Sequence, residues 1–512
     1  MQTDSRAEFG KWRAYFWPIH SSELRKFLPM FFIFFLISLN YNLLRVFKDS
    51  MVITAPNAGA EVIPFIKVWA ILPSAIILTY VFTRLANRFD REKVFYIMMS
   101  IFIAFFFLFA FLLYPNRDAL HPHEFADRME FLLPSGFKGL IAIFRNWTFT
   151  LFYIMSELWS TAIMSVLFFG FANEVTEVNE ARRFYGLFMI GANIASILAG
   201  QASAFVLLFN SMLGIPYGKS KWEQSILFMC CVVILCGILC ILLFRWLNMY
   251  GIRSKDPAKF VLDQKEKIKM SMRKNFSYLA GSKYLISIAL IVVMYNVAIN
   301  LVEVVWKNQI KAVYPDPSDF QAYMGNVTTA VGIVSTLASM FISGNIIRRF
   351  SWTTSAMIPV ATMLITGACF FAFVVFQEAS FISPLTALVG FVPTAFAMFL
   401  GTMQNVFARA CKFTFFDATK EIAFIPLDPE SKLKGKAAID GVGSRIGKSG
   451  GSVIHQGLLL LFVSVSASAP YVAIIFLAII LIWLLSVLSL GKQFNQLVGR
   501  KPKSAQTEPL PS

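Results

Sequence analysis

The sequence predicts an all-α membrane protein of about twelve transmembrane helices. Three observations carry this. Of 512 residues, 57% are hydrophobic and only 15% charged, with a mean hydropathy of +0.65. A soluble domain carries roughly 25% charged residues. Apolar runs of roughly twenty residues, the length that crosses a bilayer as a helix, recur along the whole chain. Basic residues gather in alternate loops. An outer-membrane barrel fits poorly, because its strands are short and alternate.

In chain order the expected spans are 27–50, 62–83, 94–114, 147–172, 183–209, 225–249, 284–307, 322–347, 353–376, 384–411, 436–465 and 470–491. The fourth has the least distinct start, because Arg145, Asn146 and Trp147 blur it. With the N-terminus placed in the cytoplasm, the inner loops receive Arg84, Arg88, Arg91 and Lys93, then Arg182 and Arg183. They also receive the basic loop 253–274, Arg348 and Arg349, and Arg500, Lys501 and Lys503. That satisfies the positive-inside rule and puts both termini in the cytoplasm. Segment 1–26, with Lys11, Trp12, Arg13, Phe16 and Trp17, suits an interfacial helix on the inner surface. No cleavable signal peptide is evident.

The longest central polar interruption, 251–283, is read as a cytoplasmic basic linker. It separates a six-helix half at 27–250 from a second at 284–491, followed by a cytoplasmic tail at 492–512. The halves echo each other weakly. "NYN" (40–42) is matched by "MYN" (294–296), and "ANRF" (86–89) by "IRRF" (347–350). Two parallel six-helix halves around a central cavity are the major-facilitator plan, with substrate at the midplane.

The net charge of +17 is explained by these loops, and scattered basic residues around membrane spans argue against nucleic acid as a partner. Cys230, Cys231, Cys236 and Cys240 lack metal-site spacing and read as buried membrane thiols. "HPHE" (121–124) offers metal-binding side chains but has no second ligand cluster. No cofactor or metal is called for; the expected contacts are substrate and membrane lipid.

The stretch "GVGSRIGKSGG" (441–451) imitates a phosphate-binding loop. Such a loop needs a glycine, four residues, then Gly-Lys-Ser or Gly-Lys-Thr, following a strand. Gly441 is one residue too early for Gly447-Lys448-Ser449, and Gly443 falls too late. Read as a helix, Lys436, Asp440, Ser444, Lys448, Ser452 and Gln456 form a polar stripe. Gly443, Gly447 and Gly451 form a neighbouring packing ridge.

A charge at the centre of a membrane helix costs roughly 2.5–3.5 kcal/mol on insertion scales, so each one needs a reason. Arg245 can snorkel from the end of span 6. Tyr41, Arg45 and Lys48 share one face of span 1, with Asn42 beside it. The alternative ends span 1 near Leu44 and leaves Arg45 outside. Lys67 lies early in span 2, Glu157 in a span otherwise free of formal charge, and Glu303 near the end of span 7. Cations converging on one cavity point to an anionic substrate, with the acids pairing with them when the site is empty. Tyr41, Asn42, Tyr295, Asn296 and Asn300 are candidates to contact a base or ribose.

"AEVIPFIKVW", "SELWSTAIMSVLFFGFAN", "NLVEVVWK", "KEIAFIPLDPESKLKGKAAID" and "GKSGG" together resemble the nucleotide transporters of obligate intracellular bacteria and plastids, the non-mitochondrial ATP:ADP antiporter family. The match runs from about residue 20 to residue 495. The resemblance implies a twelve-span carrier that is not an enzyme. It further implies a bacterial inner membrane or plastid envelope, a nucleotide substrate (ATP, ADP or other ribonucleotides), and transport roles for Lys67, Glu157, Glu303 and Lys448. One departure stands out. Strict exchangers resemble "ILRDTKD" in span 1, where this chain reads "LLRVFKD" (43–49), so Val46 and Phe47 put strict ATP/ADP exchange in doubt. On this reading Arg45, Lys48, Lys67 and Lys448 neutralise phosphates, while Glu157 and Glu303 form ion pairs that rearrange between states. Lys420 and Glu421 lie in the loop before span 11, as a clasp or an inner gate. Two rivals remain: a major-facilitator carrier for another organic anion such as a sugar phosphate, and a membrane-bound nucleotide hydrolase or transferase.

Overall fold

The computed structural model describes residues 13, 17–176, 178–213, 220–252, 282–343, 349–380, 382–388, 390–427, 435, 439 and 443–499. Every regular element among them is helical. Ten helices are long and apolar enough to cross a membrane, and a bent pair raises this to eleven. They are Ser21–Ile53, Val62–Arg88, Arg91–Leu113, Trp147–Val175, Arg183–Val206, Lys221–Gly251, Lys283–Val313, Pro317–Phe341, Trp352–Phe376 and Val465–Leu497. These correspond to spans 1 to 9 and span 12. Span 10 is the pair Ile382–Leu388 and Pro393–Phe424, broken by 71° near Gly390, whose φ is +76°. Span 11 is the helix Ser444–Phe462. Its described part falls below the hydropathy of a span because Arg445, Lys448, His455 and Gln456 interrupt it.

Two boundaries bear on the site. The helix of span 1 continues to Ile53, so Arg45 and Lys48 lie on the same unbroken helix as Tyr41. Span 4 begins at Trp147, as expected, directly after a short helix Lys138–Arg145. That helix and His123–Leu132 form a small cap at the end of the bundle opposite the start of span 1. Arg145, 3% exposed, holds the cap together through Asp127 (2.7 Å) and Glu130 (3.1 Å). His121 bonds Thr148 Oγ1 at 2.7 Å, and burial pushes its imidazole down to about 4. The "HPHE" histidine is thus a neutral partner of span 4 at neutral pH.

The N-terminal half packs on phenylalanine. Phe27 stacks on Phe188, and Phe95 on Phe244 with ring centres 3.9 Å apart. Aromatic faces bury large apolar area with few rotatable bonds. Spans 5 and 8 meet across the two halves backbone to backbone. A Cβ on Gly200 would lie 2.4 Å from the Gly325 carbonyl oxygen, and one on Gly325 would lie 2.7 Å from the Gly200 oxygen. Only glycine allows that approach. The expected linker and tail lie mostly outside the described residues.

Candidate functional site

Span 7 positions the centre of the site. On its face, Asn296, Asn300, Glu303 and Lys307 recur at helical spacing and turn towards spans 1, 2, 10 and 11. The glycine ridge of helix 11 explains how close that helix comes. A Cβ on Gly447 would meet Asn296 Cβ at 2.7 Å, and one on Gly451 would meet Asn300 Cβ at 3.0 Å. Asn300 uses the proximity fully. Its amide donates to the Lys448 carbonyl at 2.6 Å and to Ser452 Oγ at 3.0 Å. Its oxygen accepts from Lys67 Nζ at 2.9 Å. One side chain therefore joins spans 2, 7 and 11.

Around Asn300 lies a chain of ion pairs across the interface between the halves. Lys48 reaches Glu157 at 3.2 Å and Asp49 at 3.2 Å, and its ammonium sits 3.8 Å above the Tyr153 ring. Asp49 also accepts from Lys307 at 2.8 Å, and both members of that pair are 1% exposed. Lys307 bonds Glu303 at 3.0 Å. Glu303 pairs further with Lys67 at 3.7 Å and with Arg409 at 3.3 Å. Buried membrane charges survive when paired in this way. The chain runs Glu157, Lys48, Asp49, Lys307, Glu303 and then Lys67 or Arg409, through spans 4, 1, 7, 2 and 10.

Two cations stand outside the pairing. Arg45 is half-buried and Lys448 is exposed, and neither has an ion-pair partner among the described residues. Lys448 acts on Glu157 electrostatically without touching it. Tyr41 is half-buried next to Arg409. Asn42 and Asn296 turn back on their own helices, donating to the Ser38 and Val292 carbonyls at 2.8 Å each. They brace spans 1 and 7 rather than reach the charge cluster. Asp440 and Lys436 lie outside the described residues, as does most of the loop after Lys420 and Glu421. Lys420 itself is 3.8 Å from Glu421.

Sequence reasoning passed over three members. Lys307 and Arg409 stand at or near the ends of the expected spans 284–307 and 384–411, and Asp49 closes the stretch 43–49. A signal existed for Lys307, which lies four residues after Glu303 on the same face. Arg409 likewise follows Asn405 by four, and its Nε donates to Asn405 Oδ1 at 2.8 Å.

The interface is closed at the capped end. Gln456 of helix 11 accepts from Trp69 Nε1 at 3.2 Å and donates to the Pro64 carbonyl at 2.9 Å. Gly136 of the cap lies against the Leu460 backbone, and Lys311 donates to the Ala58 carbonyl. Towards the other end, span 2 has no buried residue from Leu72 to Arg88. The cluster is therefore closed at the capped end, where span 2 meets helix 11.

The "GKS" stretch lies in a membrane helix against span 7, with no strand before it among the described residues. A phosphate loop is ruled out by that geometry. Val46 and Phe47 are each fully buried, and Phe47 stacks on Trp222.

A bundle of ten or eleven membrane-length helices with a buried charged interface is the form of a polytopic membrane carrier. The sequence comparisons specify it further. A family described as TLC ATP/ADP transporter matches residues 2–494, and the chain belongs to that family. It is similar to ADP,ATP carrier protein 1 of Chlamydia trachomatis serovar D, 45% identical over 500 residues, which are 96% of this chain and 93% of that protein. It is also similar to the chloroplastic ADP,ATP carrier protein 1 of Arabidopsis thaliana, at 40% identity over 96% of this chain and 77% of that protein. Among solved structures, a bacterial homologue of the iron transporter ferroportin aligns with a TM-score of 0.57 at 13% identity, covering 91% of this chain and 99% of that one. The nucleoside transporter NupG aligns at 0.51 and 12% identity, covering 92% and 99%. These two likenesses concern the fold alone, which is of the major-facilitator kind.

Proposed function

We propose that this protein is a secondary transporter that exchanges nucleotides, ATP against ADP, by alternating access. The observation that carries the reading is the excess of cations at the interface. Among the described residues Arg45 and Lys448 have no ion-pair partner, whereas Lys48, Lys67, Lys307 and Arg409 beside them are all paired. Unpaired cations at membrane depth call for an anionic ligand. Relatives at 40–45% identity are named ADP,ATP carriers, which favours ATP and ADP over a sugar phosphate. The doubt raised by Val46 and Phe47 stands against this reading, and the uptake test below decides it.

In this reading Lys67, Lys48, Arg45 and Lys448 neutralise phosphates. Glu157 holds Lys48, and Glu303 holds Lys67, between transport events. Residues 27–250 and 284–491 are the two halves that rock, with both termini cytoplasmic and the cap facing outward. The membrane is the bacterial inner membrane, as suits relatives from Chlamydia. The state described here would then open to the cytoplasm. The test is uptake by intact cells expressing the chain, using a panel of labelled nucleotides, with and without internal ADP and with a proton uncoupler. Uptake of ATP that depends on internal ADP or ATP supports exchange. Uptake that the uncoupler abolishes and internal ADP leaves unchanged refutes it. Phosphate release by purified protein would instead favour a hydrolase.

A further inference from the structure

Glu303 is surrounded by more positive charge than a carboxylate needs. Its Oε1 faces Lys307 at 3.0 Å and Arg409 at 3.3 Å, and its Oε2 faces Lys67 at 3.7 Å. Arg45 acts on it as well, from span 1. Four cations thus converge on one acid.

Arg409 is the least committed of those in contact. It lies within the second part of span 10, with a side chain 14% exposed. A guanidinium offers five N–H donors in a planar fork. Among the described residues Arg409 uses Nε for Asn405 and one Nη2 contact for Glu303, and Nη1 donates to nothing. Besides Glu303 its electrostatic neighbours are Arg45, a second guanidinium from the opposite half, and the phenols of Tyr41 and Tyr295. Like charges near each other at membrane depth are costly unless an anion joins them. Both side chains are partly exposed, so an anion can reach them.

We propose that Arg409, together with Arg45, seats a phosphate group of the transported nucleotide, in the place at Arg409 that the Glu303 carboxylate occupies in this state. The inference rests on the nucleotide reading above and deepens it. Glu303 acts as an internal substitute for phosphate: a carboxylate and a phosphate present similar planar pairs of oxygens to a guanidinium fork. Substrate entry is then a swap of one anion for another on the same donors. Empty, the site is held together by Glu303; occupied, it is held together by substrate. Because Arg45 and Arg409 belong to different halves, the phosphate would bridge the interface, as Glu303 does through Lys67 in this state.

The test measures ATP and ADP binding to purified full-length protein, with melting temperatures, for wild type, R409Q, R409K and E303Q. R409Q removes a charge-assisted contact and should weaken ATP binding roughly tenfold to a hundredfold. R409K should recover only part, because an ammonium cannot present the fork. E303Q should bind ATP more tightly than wild type while failing to transport, since a competitor has been weakened. A purely structural Glu303 would give the opposite sign, a looser site. Wild-type affinity in folded R409Q overturns the assignment, and so does weaker ATP binding by folded E303Q. If R409Q fails to fold, wild-type affinity in R409K overturns it equally. Absence of ATP and ADP binding by the wild-type protein would defeat the nucleotide reading itself, and this assignment with it.

Discussion

Asp49 and Glu303 are counterparts in the two halves, and they live in different surroundings. Each follows by eight residues the tyrosine of a short shared motif, Tyr41 of "NYN" and Tyr295 of "MYN". The asparagines beside those tyrosines bond their own helices in the same way, to Ser38 and Val292. Both acids hold Lys307. Yet Asp49 is 1% exposed and sealed between two lysines, while Glu303 is 14% exposed and shared among three cations at the cavity. The same place in a repeated plan has become a latch in one half and a working site in the other. Exposure separates the roles. An ion pair without access to water or substrate can hold helices, whereas one at the cavity can exchange its partner.

The sharpest way to break this comparison is D49N. Removing one member of a buried pair costs roughly 3–5 kcal/mol, and here the lower end applies because Lys307 keeps Glu303. D49N should lower the melting temperature by several degrees and abolish uptake in intact cells. A variant that melts and transports like wild type would deny the latch. E303Q should lose transport by roughly a hundredfold, an effect of about 3 kcal/mol on the cycle, with a much smaller change in melting temperature. Equal destabilisation by D49N and E303Q would erase the distinction. E157Q frees Lys48 from one of its two acids; uptake should fall while membrane insertion stays intact, as quantified on isolated membranes. K448A should leave stability unchanged, since the side chain is exposed, and weaken ATP binding about tenfold. A melting shift with unchanged affinity would make Lys448 structural. The smallest effect is expected for F47L. Phe47 stacks on Trp222, so the variant should keep the preference between ATP and ADP in competition uptake. A changed preference would return span 1 packing to the specificity problem.

Hydropathy made the spans legible, and rarity made Lys67, Glu157 and Glu303 legible, because an ionised side chain in an apolar run has few cheap explanations. The same reasoning failed where charges stand near helix ends. Lys307 and Arg409 occupy positions from which a side chain can snorkel, and one-dimensional reading cannot tell a lipid-facing end from one turned inward. Span 11 was legible as a helix from its four-residue glycine spacing, although its polar stripe keeps its described part below the hydropathy of a span. The partner of each charge was not legible. Pairing Lys48 with Glu157 and Lys67 with Glu303 requires knowing how four helices cross, and residues 109 and 236 positions apart carry no local sign of it. The break of span 10 at Gly390 also escaped, since a glycine in an apolar run is common in membrane helices.

The glycine contact between spans 5 and 8 has a mechanical meaning. Backbone lies on backbone at Gly200 and Gly325, so no flexible side chain can take up a change in spacing there. If the halves rock as proposed, this seam would favour a roll about its line over separation along it. Such a roll would open or shut the clasp between Gln456 and span 2. A methyl group placed at Gly200 would behave as a shim in a door jamb: too small to split the bundle, large enough to fix the angle at which the two leaves hang.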